Sequence, residues 1–195
     1  MVSAMIPSLD DEDALVRENA LYYIGNYARV DADVFKAVPK ICELALGDDE
    51  WRIRIGAVRV IARVLEANKD ALDELTVYDE WTGKDCTLRK HIMHVLEDIL
   101  IGDPVAEVRS HAARAFGFVD ESSREDATYI LLKALRDVDS DVRGSAARAL
   151  GKIGDQSVLG ELSRIAFDPN EKEMTAADAF CSFRRIIRRL CGQDS

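Results

Sequence analysis

Apolar and small residues recur along this chain at helical spacing. Between Arg136 and Ala166, the residues Val142, Ala146, Ala149, Leu150 and Ile153 fall at i, i+4, i+7, i+8 and i+11. That spacing puts them on one face of a helix. The centre of the face is small, so a neighbouring helix can approach closely, and Leu150 and Ile153 fill the flanks. The run Asp-Val-Asp-Ser-Asp at 137–141 precedes this helix. It offers side-chain oxygens to the unpaired N–H groups of a helix start. Gly154 and Asp155 break the pattern, and a second apolar helix is predicted over Val158–Ala166. Similar second helices are predicted over Asp33–Leu46, Leu88–Leu100 and Asp126–Leu135. No segment alternates long enough to read as a strand, so the chain is predicted to be all-α.

The same unit occurs several times. The segments Leu15–Gly25, Arg52–Arg63 and Glu107–Val119 align with it without internal gaps. An arginine is followed at +3 by alanine, in the pairs Arg17/Ala20, Arg54/Ala57, Arg109/Ala112 and Arg143/Ala146. A large apolar residue stands at +7 (Ile24, Ile61, Phe116, Leu150) and a small one at +8 (Gly25, Ala62, Gly117, Gly151). A degenerate fifth copy keeps Ala176 and Phe180, but Glu173 replaces the arginine. The arginine intervals are 37, 55 and 34 residues by subtraction, so the second unit carries an insertion. A repeat of this length is one helix pair that buries its apolar face only against its neighbours.

A cation in the first turn of a helix opposes the helix dipole. Its recurrence at one register implies a compensating anion. An aspartate stands six residues before each arginine, at Asp11, Asp48, Asp103 and Asp137. It falls in the turn between repeats and is the natural candidate, because arginine can fork onto a carboxylate and also cap loop carbonyls. A structural ladder of Asp11, Arg17, Asp48, Arg54, Asp103, Arg109, Asp137 and Arg143 is preferred over a row of anion-binding arginines. A residue repeated in a solenoid ordinarily serves repeat stacking.

The pattern D-x-(D/S)-x-x-V-R-x-x-A-A-x-A-L-G-x-I-G resembles the HEAT repeat, in the short form of phycobilisome-lyase-like proteins. Gly151, Ile153 and Gly154 complete it in the fourth copy. The resemblance implies a single domain over 1–195, a right-handed α-solenoid of about five antiparallel helix pairs. Its approximate repeats are 5–46, 47–101 with an inserted loop at 65–84, 102–135, 136–167 and a degenerate capping unit at 168–195. It further implies first helices on the convex side, second helices on the concave side, and a scaffold role toward protein partners.

The charge balance is 26 basic against 36 acidic side chains, a net −10, and residues 1–100 alone account for −8 (12 against 20). Such acidity weighs against general nucleic-acid binding, whose affinity comes mostly from neutralised phosphates. The sequence has no apolar run of about 18 residues, so no membrane span is expected. The first residues lack the basic and apolar regions of a signal peptide, so a cytoplasmic location is expected. Cys42, Cys86, Cys181 and Cys191 form no C-x-x-C pair. They read as reduced, mostly buried thiols.

The insertion carries Tyr78 and Trp81 among Asp79, Glu80 and Asp85. This aromatic pair is either a recognition tip, since such residues dominate binding hot spots, or a cover folded back over a repeat seam. Near the C-terminal end, Arg184, Arg185, Arg188 and Arg189 surround Ile186, Ile187 and Leu190. They form a basic amphipathic helix, read first as a polar cap on the array and otherwise as a seat for an acidic partner.

Catalytic sets are missing. His91 and His94 lie at i, i+3 with Cys86 and Glu97 near, but no second ligand pair has metal-site spacing. The paired His-Glu dipeptides of the HEAT-like hydroxylase deoxyhypusine hydroxylase are absent: Ile92, Val95 and Ala112 follow the histidines. There is no phosphate-binding glycine loop and no nucleophile elbow. The expected function is therefore a non-enzymatic scaffold binding a protein or peptide on its concave face, with no cofactor and no metal. The alternatives are a lyase-like accessory factor for a tetrapyrrole or a protein modification, or a nucleic-acid binder acting through the arginine-rich end helix.

Overall fold

The computed structural model describes residues 1–68, 71–79 and 82–192. A short helix α1 (Val2–Met5) and a 3-10 turn (Ile6–Asp10) lead into α2 (Ala14–Tyr27). Then come α3 (Val34–Gly47), α4 (Trp51–Ala67), α5 (Leu88–Gly102), α6 (Ala106–Ala115), α7 (Arg124–Ala134), α8 (Ser140–Ile153), α9 (Leu159–Ala166) and α10 (Glu173–Leu190). The repeated motif forms the even-numbered helices from α2 to α10, and the intervening apolar segments form α3, α5, α7 and α9. Among the described residues α10 has no second helix after it.

The aspartate clusters start these helices as their chemistry requires. The Asp13 side chain accepts the Leu15 N–H at 2.8 Å. The Asp139 side chain accepts the Asp141 and Val142 N–H groups at 2.8 and 3.2 Å. The apolar stripe of α8 is buried at all five positions, Val142, Ala146, Ala149, Leu150 and Ile153. One contact shows why the seam between motif helices is small. A Cβ added at Gly151 would stand 2.5 Å from Ser182 Oγ and 3.0 Å from its Cα on α10.

Curvature runs opposite to the expectation. Adjacent motif helices pack on one another far more closely than adjacent second helices do. A cavity of about 520 Å³ separates α5 from α7. In a bent stack the tightly spaced row is the inner one, so the motif helices line the concave side and the second helices the convex side. The physical reason is the small-residue seam, which lets only the motif row close up.

The insertion also departs from the prediction. Helix α4 continues to Ala67, and a 3-10 turn (Ala71–Asp73) buries Leu72 in the core. Strands β1 (Thr76–Asp79) and β2 (Lys84–Thr87) then pair antiparallel, with Val77 opposite Cys86. Each strand has four residues, too short for alternation to show in sequence. The hairpin is held to the solenoid at several points. Arg89 Nε donates to both Asp73 oxygens at 2.9 Å, and Arg89 also pairs with Asp120 of the next repeat at 3.2 Å. The Leu88 N–H donates to the Leu75 carbonyl at 2.7 Å.

Candidate functional site

Each ladder arginine makes two kinds of bond through three nitrogens. Its Nη1 donates to the main-chain carbonyl of the aspartate six residues earlier: Arg17 to Asp11, Arg54 to Asp48, Arg109 to Asp103 and Arg143 to Asp137, at 2.8–2.9 Å. Its Nε and Nη2 fork onto a carboxylate of the next repeat. Arg17 reaches Asp48 at 2.8 and 2.9 Å, Arg54 reaches Asp103 at 2.7 and 3.1 Å, and Arg109 reaches Asp137 at 2.9 and 2.9 Å. The aspartate six residues back therefore contributes its carbonyl, not its carboxylate. At Asp48, Asp103 and Asp137 the carboxylate belongs to the preceding repeat's arginine and also accepts the N–H two residues on, as Asp48 does from Glu50 at 2.9 Å, whereas Asp11 in the first repeat accepts the Asp13 N–H at 2.9 Å. Arg143 forks onto Glu171 at 2.7 and 2.5 Å, a rung that no aspartate spacing announced.

These pairs are largely withdrawn from water, Arg54 and Asp103 being 8% and 9% exposed. The bidentate carboxylate raises the pKa of Arg17, Arg54, Arg109 and Arg143, against their burial. The Arg143 fork holds the Glu171 carboxyl below its ordinary range. At Asp137 burial acts upward, but the Arg109 fork and the Asp139 N–H outweigh it and the net shift is down.

The opposite, open face of the motif helices holds a groove. A cavity of about 280 Å³ is lined by Leu21 and Tyr22 of α2, Trp51, Ile55 and Arg59 of α4, and His111 of α6, so it crosses three successive repeats. Tyr22 is 62% exposed. Arg52 lies over the Trp51 ring, 5.3 Å from its centroid. His111 is half-buried, and its pKa is lowered to about 4 by burial, then by Arg114 and Arg59. Leu21, Trp51, Ile55 and His111 stand out by no sequence pattern, whereas Tyr22 and Arg59 share position +5 after the ladder arginine, which reads Tyr22, Arg59, Arg114, Arg148.

The other expected contact residues are scattered. Tyr78 is 62% exposed on β1, and Trp81 and Glu80 lie outside the described residues. Beside Tyr78, Asp79 is fully buried. His94 Nδ1 is 3.0 Å from Asp79 Oδ2, His91 Nδ1 is 3.9 Å from Oδ1, and the Thr82 hydroxyl donates to Oδ2 at 2.9 Å. These histidines anchor the hairpin to α5. Among the described residues no cluster of three or more His, Cys, Asp or Glu converges as a metal site. On α10, Arg189 donates to the Lys152 carbonyl at 2.8 Å and to the Gly154 carbonyl, capping the end of α8. Arg184 lies over the Phe180 ring at 5.8 Å, and Arg185 and Arg188 are exposed. The thiols differ from expectation. Only Cys42 is buried, where desolvation pushes it up to about 12, whereas Cys181 and Cys191 are exposed. Both sit on the outward side of α10 or just beyond its end, where no neighbouring helix covers them.

Comparison with known proteins agrees with this geometry. A family described as "HEAT repeats" matches residues 93–180, under half of the chain. No curated protein matches the sequence. Among solved structures, an engineered protein superposes with a TM-score of 0.66 at 18% identity, covering 95% of this chain and 78% of its own. A designed armadillo repeat protein gives 0.64 at 20% identity over 95% and 82%. Computationally designed armadillo repeat proteins for modular peptide recognition give 0.64 at 19% over the same shares. At such identities the likeness concerns fold alone. No helix among the described residues is long and apolar enough to cross a membrane. In fold, this chain is an all-α solenoid of the HEAT and armadillo kind.

Proposed function

We propose that this protein is a non-enzymatic scaffold that holds a protein or peptide partner against its motif-helix face. The observation that carries this reading is the groove that crosses α2, α4 and α6. Its lining combines Tyr22, Trp51, Arg52 and Arg59, the residue types that dominate interface hot spots. The repeats give it a rigid frame, since each motif helix is pinned to the next by a buried fork and a small-residue seam. The designed armadillo neighbours made for peptide recognition support the same use of the fold. Tyr78, Arg185 and Arg188 are secondary candidate contacts at the edges of the array.

A photo-crosslinking amino acid placed at position 22 tests the reading, with position 129 on the convex side as the comparison. Tyr129 is 63% exposed and lies on α7. The expected result in the native cell is a discrete protein adduct from position 22 and none of the same identity from position 129. Adducts from position 129 alone would place the partner on the other row and end this assignment.

A further inference from the structure

The chain is strongly acidic, yet its concave row is basic. Five and nine residues after the ladder arginine lie adjacent positions on one helix face. They hold Arg59 and Arg63 on α4, Arg114 on α6, and Arg148 and Lys152 on α8. Three of these have partners: Arg148 pairs with Asp178, Arg63 donates to Asn26, and the Lys152 ammonium lies 3.9 Å over the Phe118 ring, which leaves its charge without a carboxylate. Among the described residues no carboxylate forms an ion pair with Arg59, Arg114, Lys152 or Arg185. These groups feel one another. The Lys152 pKa is lowered by burial and by Arg185 and Arg114, against the pull of Glu66. His111, between Arg59 and Arg114, resists a proton in the same way. The row thus runs through α4, α6 and α8 to Arg185 on α10, with Glu66 acting on Lys152 and Asp178 paired to Arg148 as acids near it.

We propose that this face takes an acidic, extended peptide segment, with carboxylates along Arg59, Arg114, Lys152 and Arg185 and an apolar side chain in the cavity beside Tyr22 and Trp51. This rests on the reading of the groove as a protein-binding surface and names its partner class. Spacing fixes the register. Packed helices stand about 8–10 Å apart, and an extended chain advances about 3.3 Å per residue. One acidic residue in about every three therefore meets each successive repeat, and α4 to α10 spans about nine residues. A peptide fits better than a nucleic acid. Leu21, Trp51 and Ile55 give the groove an apolar part, and Glu18 and Glu107 line it as well. A net charge of −10 repels a long polyanion.

The test is fluorescence anisotropy with a labelled peptide of about nine residues. It carries glutamate at every third position and a leucine at one end, and a twin carries glutamine for glutamate. The glutamate peptide should bind at least about tenfold tighter than its twin and weaken as salt rises. The double variant Arg59→Glu/Arg114→Glu should lose at least about tenfold in affinity. The charge-matched Lys90→Glu/Lys133→Glu, on the convex row, should keep wild-type binding. Circular dichroism and melting verify that both variants are folded. Equal binding of the twin, equal losses in the two variants, or tighter binding of an oligothymidylate of the same charge would each overturn the proposal. A protein adduct at position 22 together with indifference to the glutamate peptide would sink this inference alone and leave the scaffold reading standing.

Discussion

Arg54 forks onto Asp103 across 49 residues of chain, whereas the rungs Arg17–Asp48 and Arg109–Asp137 cross 31 and 28. The whole insertion lies inside that one longer interval, and the rung closes with the same geometry as its neighbours. Repeat stacking is thus set by the arginine, the turn carbonyl and the next carboxylate, and it tolerates a hairpin looped out between them. Because the pair is buried, removing one partner strands the other away from water.

Arg54→Ala should therefore cost about 2–4 kcal/mol in unfolding free energy. Arg54→Lys should recover little of it, since an ammonium lacks the planar fork. Urea denaturation of both variants checks this. A loss within about 0.5 kcal/mol of zero would mean that water replaces the rung and that the arginine row has another use.

Gly151 and Gly160 should respond oppositely to alanine. At Gly151 the new methyl meets the backbone and side chain of Ser182, so Gly151→Ala should destabilise the α8–α10 seam by about 1–3 kcal/mol. Gly160 lies within α9 with nothing within 4 Å of its Cβ position. Gly160→Ala should stabilise by up to about 0.5 kcal/mol, less than in a helix interior because the position is in the first turn of α9. Thermal melts of the two variants decide the matter. Equal effects would show that the seam is looser than its geometry.

Much of this architecture is legible in the amino-acid sequence, and the limits have physical causes. The period-3.6 stripe of α8 and the arginine register identify the repeats because both derive from local spacing. The carboxylate partner of each arginine differs from the one that spacing suggests, since pairing across repeats depends on superhelical stacking that no local spacing encodes. Glu171 escapes the pattern because the fifth copy has no arginine six residues after it to mark the register; it reaches Arg143 with one more methylene from the equivalent α9–α10 turn. Concavity is the reverse of the expectation because the small residues at +3 and +8 are more than packing aids; they also decide which row closes up. The +5 arginines are visible in the sequence, but their exposure becomes meaningful only once that row is known to be the inner one. The hairpin strands are too short to show alternation, and by sequence Asp79 looks like one more acid on a polar loop.

Asp79 makes the hairpin a structural part of α5's surroundings. Asp79→Ala should leave His94 without the carboxylate it faces at 3.0 Å, at a cost of about 1–3 kcal/mol. Amide hydrogen exchange should quicken in Thr76–Asp79 and Lys84–Thr87 while α8 and α10 stay protected. Unchanged exchange in those strands would show that Arg89 and Leu72 suffice to hold the insertion.

His111 and the ladder carboxylates contribute to the acid response over different ranges. His111 favours its neutral form in the folded protein, with a pKa of about 4 against 6.5 for the free side chain. A depressed folded value means that its contribution is complete above the unfolded pKa and fades as pH falls from 6.5 toward about 4. Asp137 and Glu171 are also depressed. Their contribution is present above the ordinary carboxylate range, about pH 4, and is lost as pH falls through their folded values. Tm followed from about pH 7.5 to about pH 3 should decline in two stages. His111→Asn should flatten the first, and Glu171→Gln should start lower and shrink the second. A His111→Asn profile identical to wild type would refute the first assignment.

The partner should lie on the concave motif-helix row. Isothermal titration of the protein cross-linked from position 22, once purified, against two triple variants decides this. One is Tyr22→Ala/Arg59→Ala/Arg114→Ala on the concave row, and the other is Lys90→Ala/Tyr129→Ala/Lys133→Ala on the convex row. The first should weaken binding by at least about 3 kcal/mol, as for a hot-spot cluster, and the second should stay within about 0.5 kcal/mol of wild type. The reverse order of losses would contradict the assignment and move the binding surface to α5 and α7.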